Sequence, residues 1–176
     1  GVGFVIVDMR VKKLLKRLAA TPMARADFLW SLACSRLLFM IPELLVIMAT
    51  GPLLFGMPVR GNWLAVLALS VLGAAAFAGL GMLAACRAQR IETVSGLMNV
   101  IMVPMWLFSG TFFSSDRFPA AFQPLVQALP LTQLNDALRA VILEGAALPS
   151  QWWRLLALAA WAVVPAALAL RWFRWS

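Results

Sequence analysis

The chain of 176 residues is 63% hydrophobic and 12% charged, with a mean hydropathy of +0.89, where a soluble domain carries about 25% charged side chains. Its 15 basic and 7 acidic residues are too few to cover a water-facing surface, which excludes a soluble enzyme or a disordered tail and points to an all-helical polytopic membrane protein. The formal charge of +8 suits either a nucleic-acid partner or basic cytoplasmic loops, and where the charges fall decides between them.

Residues 1–7 form an apolar run that crosses only about 10 Å as helix. The run reads as the end of a span that starts upstream, so the sequence is expected to be a fragment. A signal peptide would need a basic region before the run and a cleavage site after it, and neither is present.

Residues 8–36 are expected in the cytoplasm. Val11, Leu14, Leu15 and Leu18 recur at i, i+3, i+4 and i+7, and Lys12, Lys13, Lys16 and Arg17 fill the positions between, which predicts an amphipathic helix with a basic face. Pro22 disfavours helix at Thr21 but suits the first position of a new helix with Thr21 as its N-cap. An elbow at the membrane surface follows, fitted to anionic lipid or to a partner protein.

Three spans are expected within 37–108 and a fourth within 152–176. The first covers 37–55, with Pro42 and Gly51-Pro52 expected to break it. Residues 61–86 carry no charge and give roughly 39 Å of helix. Residues 93–115 contain Pro104, and their helical part is expected to stop near Ser109-Gly110. The region 109–151 is punctuated by Pro119, Pro124, Pro130 and Pro149, and its apolar patterns, such as Phe122, Leu125, Val126 and Leu129, are too short to span. The last span covers 152–170, with Arg154 at its start and Pro165 late.

Arg10, Lys12, Lys13, Lys16, Arg17, Arg25 and Arg36 precede the first full span, Arg87 and Arg90 separate the second from the third, and Arg171 and Arg174 follow the last. Only Arg60, Arg117, Arg139 and Arg154 fall on the other side. The positive-inside rule therefore places 8–36, 87–92 and the C-terminus in the cytoplasm. This topology accounts for the basic surplus without nucleic acid. Trp63, Trp152, Trp153, Trp172 and Trp175 sit at span ends as interfacial anchors, whereas Trp106 and Trp161 do not fit that pattern.

Leu15-Lys16-Arg17-Leu18-Ala19-Ala20-Thr21-Pro22 resembles the cytoplasmic segment of ABC-2 type transporter permeases, in which an L-K-R-L-x-A-T-P string precedes a membrane-entry helix. Phe108-Ser109-Gly110-Thr111-Phe112-Phe113, Phe118-Pro119, Leu129-Pro130-Leu131-Thr132 and Asp136-Ala137-Leu138-Arg139 resemble the same family's C-terminal pattern. Many members place a proline soon after the paired aromatics, where this chain has Ser114-Ser115-Asp116. The resemblance implies a subunit of six spans when whole, working as a homodimer or heterodimer in the bacterial inner membrane among its lipids. It further implies export of an amphiphile such as a drug, lipid or saccharide.

By the same resemblance Val11, Leu14, Leu15, Lys16, Arg17, Leu18, Thr21 and Pro22 belong to a coupling helix that docks on a cytosolic ABC ATPase subunit. Its apolar ridge suits a groove and its basic residues an acidic rim. Ser109, Gly110, Phe112, Phe113, Pro119, Pro130, Leu131, Thr132 and Arg139 would belong to re-entrant helices that cap the exit path. Such backbone needs cover from protein or water.

Glu43 is the one acidic side chain inside an expected span, and Arg36 lies about 10 Å away on the same helix face. Snorkelling, or a hydrogen bond to a neighbouring helix, is expected of Glu43 ahead of a transport role. The spacings Ala74/Ala78, Ala75/Gly79 and Gly81/Ala85 suit close helix packing, within the subunit or at a dimer seam. The chain has no P-loop string, so ATP would be bound by a second polypeptide and this chain needs no cofactor of its own. Without histidine, and with Cys34 and Cys86 far apart, it offers no metal or enzyme site. An ion-coupled secondary transporter is the alternative, for which Glu43 alone is a poor supply of coupling groups.

Overall fold

A computed structural model describes residues 2–22, 24–56, 61–110, 119 and 122–173. The described residues are helical and contain no strand: α1 (Val2–Val11), α2 (Leu14–Ala19), α3 (Arg25–Phe55), α4 (Trp63–Ala85), α5 (Ile91–Phe108), α6 (Gln123–Ala128), α7 (Pro130–Glu144), a 3₁₀ turn (Leu148–Gln151) and α8 (Trp152–Trp172). Four of these helices, α3, α4, α5 and α8, are long and apolar enough to cross a membrane.

The axis of the bundle is α4, against which α1, α3, α7 and α8 pack. It begins where the Asn62 side chain accepts a hydrogen bond from the Leu64 backbone N–H at 2.9 Å, satisfying one of the free donors of a helix start. Its small residues let neighbours come close on two sides. A Cβ on Gly3 of α1 would stand 2.7 Å from the Gly81 carbonyl oxygen, and one on Gly79 would stand 3.0 Å from the Ala162 carbonyl oxygen of α8. The small-residue spacing of α4 thus serves packing inside the chain.

Two apolar clusters follow. One joins Ile6, Leu15, Phe28, Met82, Val94 and Phe173 at the end of the bundle that carries the 86–90 loop. The other joins Val66, Leu69, Val141 and Leu158 at the opposite end, where α7 lies on α4 and α8. So α2 and α7 occupy opposite ends.

Three local expectations are corrected. The helix expected to carry Val11, Leu14, Leu15 and Leu18 on one face is broken: Val11 ends α1, Lys13 turns with φ +58°, and α2 covers only Leu14–Ala19. That left-handed residue rotates the chain so that Leu15 enters the core, which a single helix carrying Val11 on the same face does not achieve. Thr21 does not cap the next helix, because its hydroxyl donates back to the Leu18 carbonyl at 2.6 Å and α3 starts at Arg25 after Ala24. The third correction is α3 itself. It runs unbroken through Pro42 and Pro52 to Gly56, whose φ of +60° closes it with an N–H bond to the Pro52 carbonyl. Proline removes one backbone bond, and a helix in apolar surroundings has no better place for its remaining polar groups.

Candidate functional site: the elbow, the inner junction and the outer cap

The elbow between α1 and α3 is held from beneath by Arg10. As the C-terminus of α4 approaches, its last carbonyls have no partner within the helix, and the guanidinium supplies three donors. Nη1 donates to the Ala85 carbonyl at 3.0 Å and to that of Ala88, and Nη2 donates to the Cys86 carbonyl at 3.2 Å. The same guanidinium lies 5.9 Å from the ring centroid of Phe173, just past α8. The Phe173 ring in turn meets Phe28 of α3 at 6.0 Å and 42°. Beside them Arg87 lies over Trp172 at 5.8 Å. One half-buried cation therefore links α1, α3, α4 and α8. Burial lowers the Arg10 pKa and raises that of the Cys86 thiol, on which Arg87 and Arg10 exert a smaller opposing pull.

On this junction α2 stands as a short peg. Leu15 is 1% exposed and Leu18 packs partly against the same cluster. Leu14, Lys16, Arg17, Thr21 and Pro22 are exposed, as is Val11 at the end of α1. The ridge of Val11, Leu14, Leu15 and Leu18 is thus divided, with Leu15 and Leu18 anchoring the peg and Leu14, Lys16 and Arg17 facing outward. Lys12 pairs with Asp8 at 2.7 Å on the exposed side.

At the other end, Ser109 and Gly110 are buried where α5 stops, Gly110 with φ +76°. The Asn135 side-chain amide of α7 donates to the Ser109 carbonyl at 3.2 Å. Pro130 opens α7 and is buried with Thr132 and Gln133, Leu131 is half-buried, and Arg139 and Pro119 are exposed. The Gln133 amide nitrogen donates to the Gln127 carbonyl, which fixes α7 against α6. Phe112 and Phe113 lie outside the described residues. Trp161, which fits no interfacial belt, donates its indole N–H to the Ala128 carbonyl at 2.9 Å and fastens α6 to α8.

Glu43 is exposed on α3 and makes no hydrogen bond among the described residues. With Arg36 it lines a cleft of about 300 Å³ between α1, α3, α4 and α5. Sequence reasoning missed Arg10, Phe173, Asn135 and Gln133. Arg10 was counted only as one of several basic loop residues, and the signal that sets it apart is its place at the end of an apolar run.

The family described as ABC-2 type transporter matches residues 2–143. Nodulation protein J of Rhizobium leguminosarum bv. viciae is 35% identical over 85 residues, 47% of this chain and 33% of that protein. Nodulation protein J of Rhizobium meliloti (strain 1021) is 33% identical over 90 residues, 51% of this chain and 34% of that protein. The aligned stretch is thus about a third of the length of these relatives. No solved structure matches the chain.

Proposed function

Because the chain belongs to the ABC-2 type transporter family, a family of membrane transport subunits, we propose that it is the permease of an ATP-driven exporter, with α2 as the contact for a separate ATPase subunit. ATP is bound and hydrolysed by that partner. Two permease copies, or two related chains, and two ATPases make the working assembly in a bacterial inner membrane.

The observation that carries this reading is the placement of α2. It stands at the basic end of the bundle with Leu15 in the core and with Leu14, Lys16 and Arg17 outward. A peg so anchored passes a push directly to the helices beneath it. Through Arg10 the push reaches the 86–90 loop and the end of α8. From α8 it reaches α6 through Trp161 and the Ala128 carbonyl. The outer cap of α6 and α7 then moves with the spans, opening an outward path for an amphiphilic cargo.

The test is ATP hydrolysis by the whole complex in proteoliposomes. Leu14→Asp combined with Arg17→Glu changes only outward side chains and should abolish permease-dependent hydrolysis while the permease still inserts and folds. Hydrolysis at the wild-type level in that variant would remove α2 from the coupling path.

A further inference from the structure

Arg36, Met40 and Glu43 share one face of α3 and line the cleft that Gly3 of α1, Phe77 of α4 and Met98 and Met102 of α5 complete. On α4 the lining runs from Gly81 to Ala74, roughly 6 to 17 Å from the helix end at Ala85. The cleft therefore lies in the half of the spanning bundle nearer the 86–90 loop. Its floor is fixed where α1 and α4 touch backbone to backbone at Gly3 and Gly81.

Two opposite charges open into this space with about 10 Å of helix between them. Neither Arg36 nor Glu43 makes an ion pair or hydrogen bond among the described residues. Ionisable groups at membrane depth are costly and stay there when something meets them. Near neighbours on the walls are methionine and phenylalanine, and methionine adapts its shape to varied apolar groups.

We propose that this cleft binds the head of a zwitterionic or hydroxyl-bearing anionic amphiphile. Its anionic group meets Arg36 and its ammonium or hydroxyl donor meets Glu43. A volume of about 300 Å³ is at the small end of ligand sites, which suits a head group and leaves acyl chains outside. Those chains find Phe39, Val46 and Ile47 exposed on or beside the same face of α3. The inference rests on the permease reading, but its test needs no ATPase, so loss of head-group binding and loss of ATPase coupling fail separately.

Native mass spectrometry of the full chain in detergent, with phosphatidylethanolamine, phosphatidylglycerol or diacylglycerol added, reads the site. The wild type should retain the two phospholipids over diacylglycerol. R36Q should lower retention of both by about tenfold, and E43Q should lower phosphatidylethanolamine by about tenfold and phosphatidylglycerol by less, as expected for one charge-assisted hydrogen bond each. M102W fills the cleft with both charges intact and should lower both lipids, which separates loss of the site from a failure to fold. Equal retention of all three lipids by the wild type overturns the proposal, as does unchanged phosphatidylethanolamine in R36Q and E43Q. Conversion of dimers to monomers in those variants with lipid retention intact also overturns it, assigning the charges to a second copy. If the retained phospholipid also stimulates hydrolysis by the full complex, the head group in the site is that of the cargo. Retention without stimulation makes it a resident lipid, and both results keep the head-group site.

Discussion

The guanidinium of Arg10 lies 5.9 Å from the ring centroid of Phe173 while its nitrogens reach the carbonyls of Ala85 and Cys86. Arg10 lies in the last turn of α1, and Phe173 follows α8. The pair closes the bundle beneath α2, and the carbonyls it serves are those a helix terminus leaves open. A planar fork is suited to several carbonyls at once, and lysine offers a single rotating donor group in its place.

Arg10→Met should lower stability by about 2 kcal/mol, the size of a lost hydrogen bond to a charged group with its partners left bare. Arg10→Lys should recover part of that loss. Thermal unfolding in detergent measures both. In the full complex the Met variant should still bind the ATPase but lose permease-dependent hydrolysis, since α2 keeps its outward residues and loses its footing. Equal hydrolysis by the two variants and wild type would place Arg10 outside the coupling path.

Leu15→Ala should cost about 3 kcal/mol, because the side chain is 1% exposed and its removal leaves a cavity in the cluster with Phe28 and Phe173. Leu14→Ala, one position away and exposed, should shift stability by no more than about 0.5 kcal/mol. Titrating the ATPase against each variant should give the reverse order, with Leu14→Ala the weaker binder relative to its stability.

Gly3→Ala should destabilise by about 1–3 kcal/mol, since its Cβ would meet the Gly81 carbonyl oxygen at 2.7 Å and that oxygen belongs to the backbone. Gly96→Ala is the control, because nothing lies within 4 Å of a Cβ there. It should be neutral or slightly stabilising in the same unfolding assay, as alanine favours helix by about 1 kcal/mol over glycine.

Cys86 should alkylate slowly in a Cys34→Ser background. Burial raises its pKa, so at pH 8 a smaller fraction is thiolate than in a free cysteine, and the rate should still be climbing at a pH where that of a free thiol has levelled off. Arg87→Gln removes a cation that favours the thiolate and should slow the reaction further at pH 8. A Cys86 rate equal to that of a free thiol at pH 8 would contradict the buried setting.

Trp161→Phe should cost about 1 kcal/mol by removing the bond to the Ala128 carbonyl, and it should loosen α6 first. Hydrogen exchange at Leu125 and Val126 is the measurement, and unchanged protection there would detach Trp161 from the cap.

Apolar length alone showed the four spans, because each needs about 20 apolar residues with few charges and few other folds produce that. The stop of α5 at Ser109-Gly110 was also legible, since glycine acts locally. The unbroken α3 was not, because whether Pro42 interrupts a helix depends on whether the surroundings can satisfy the freed groups. The role of Arg10 was hidden for a different reason: its partners stand 75 to 78 residues away, and no period in the sequence joins them. Likewise the division of the 11–22 ridge follows from one positive φ at Lys13, which helical spacing cannot anticipate.

The length of α3 has a mechanical consequence. Its 31 residues give a rod of roughly 46 Å, about half as long again as the hydrocarbon layer it crosses. Phe28 and Leu29 hold one extremity in the inner cluster, and the shaft beyond is sparsely gripped. Pivoting by about 5° at that hold would carry the distal tip about 3.5 Å, so a small shove at the base is geared up into a displacement of atomic size across the bilayer.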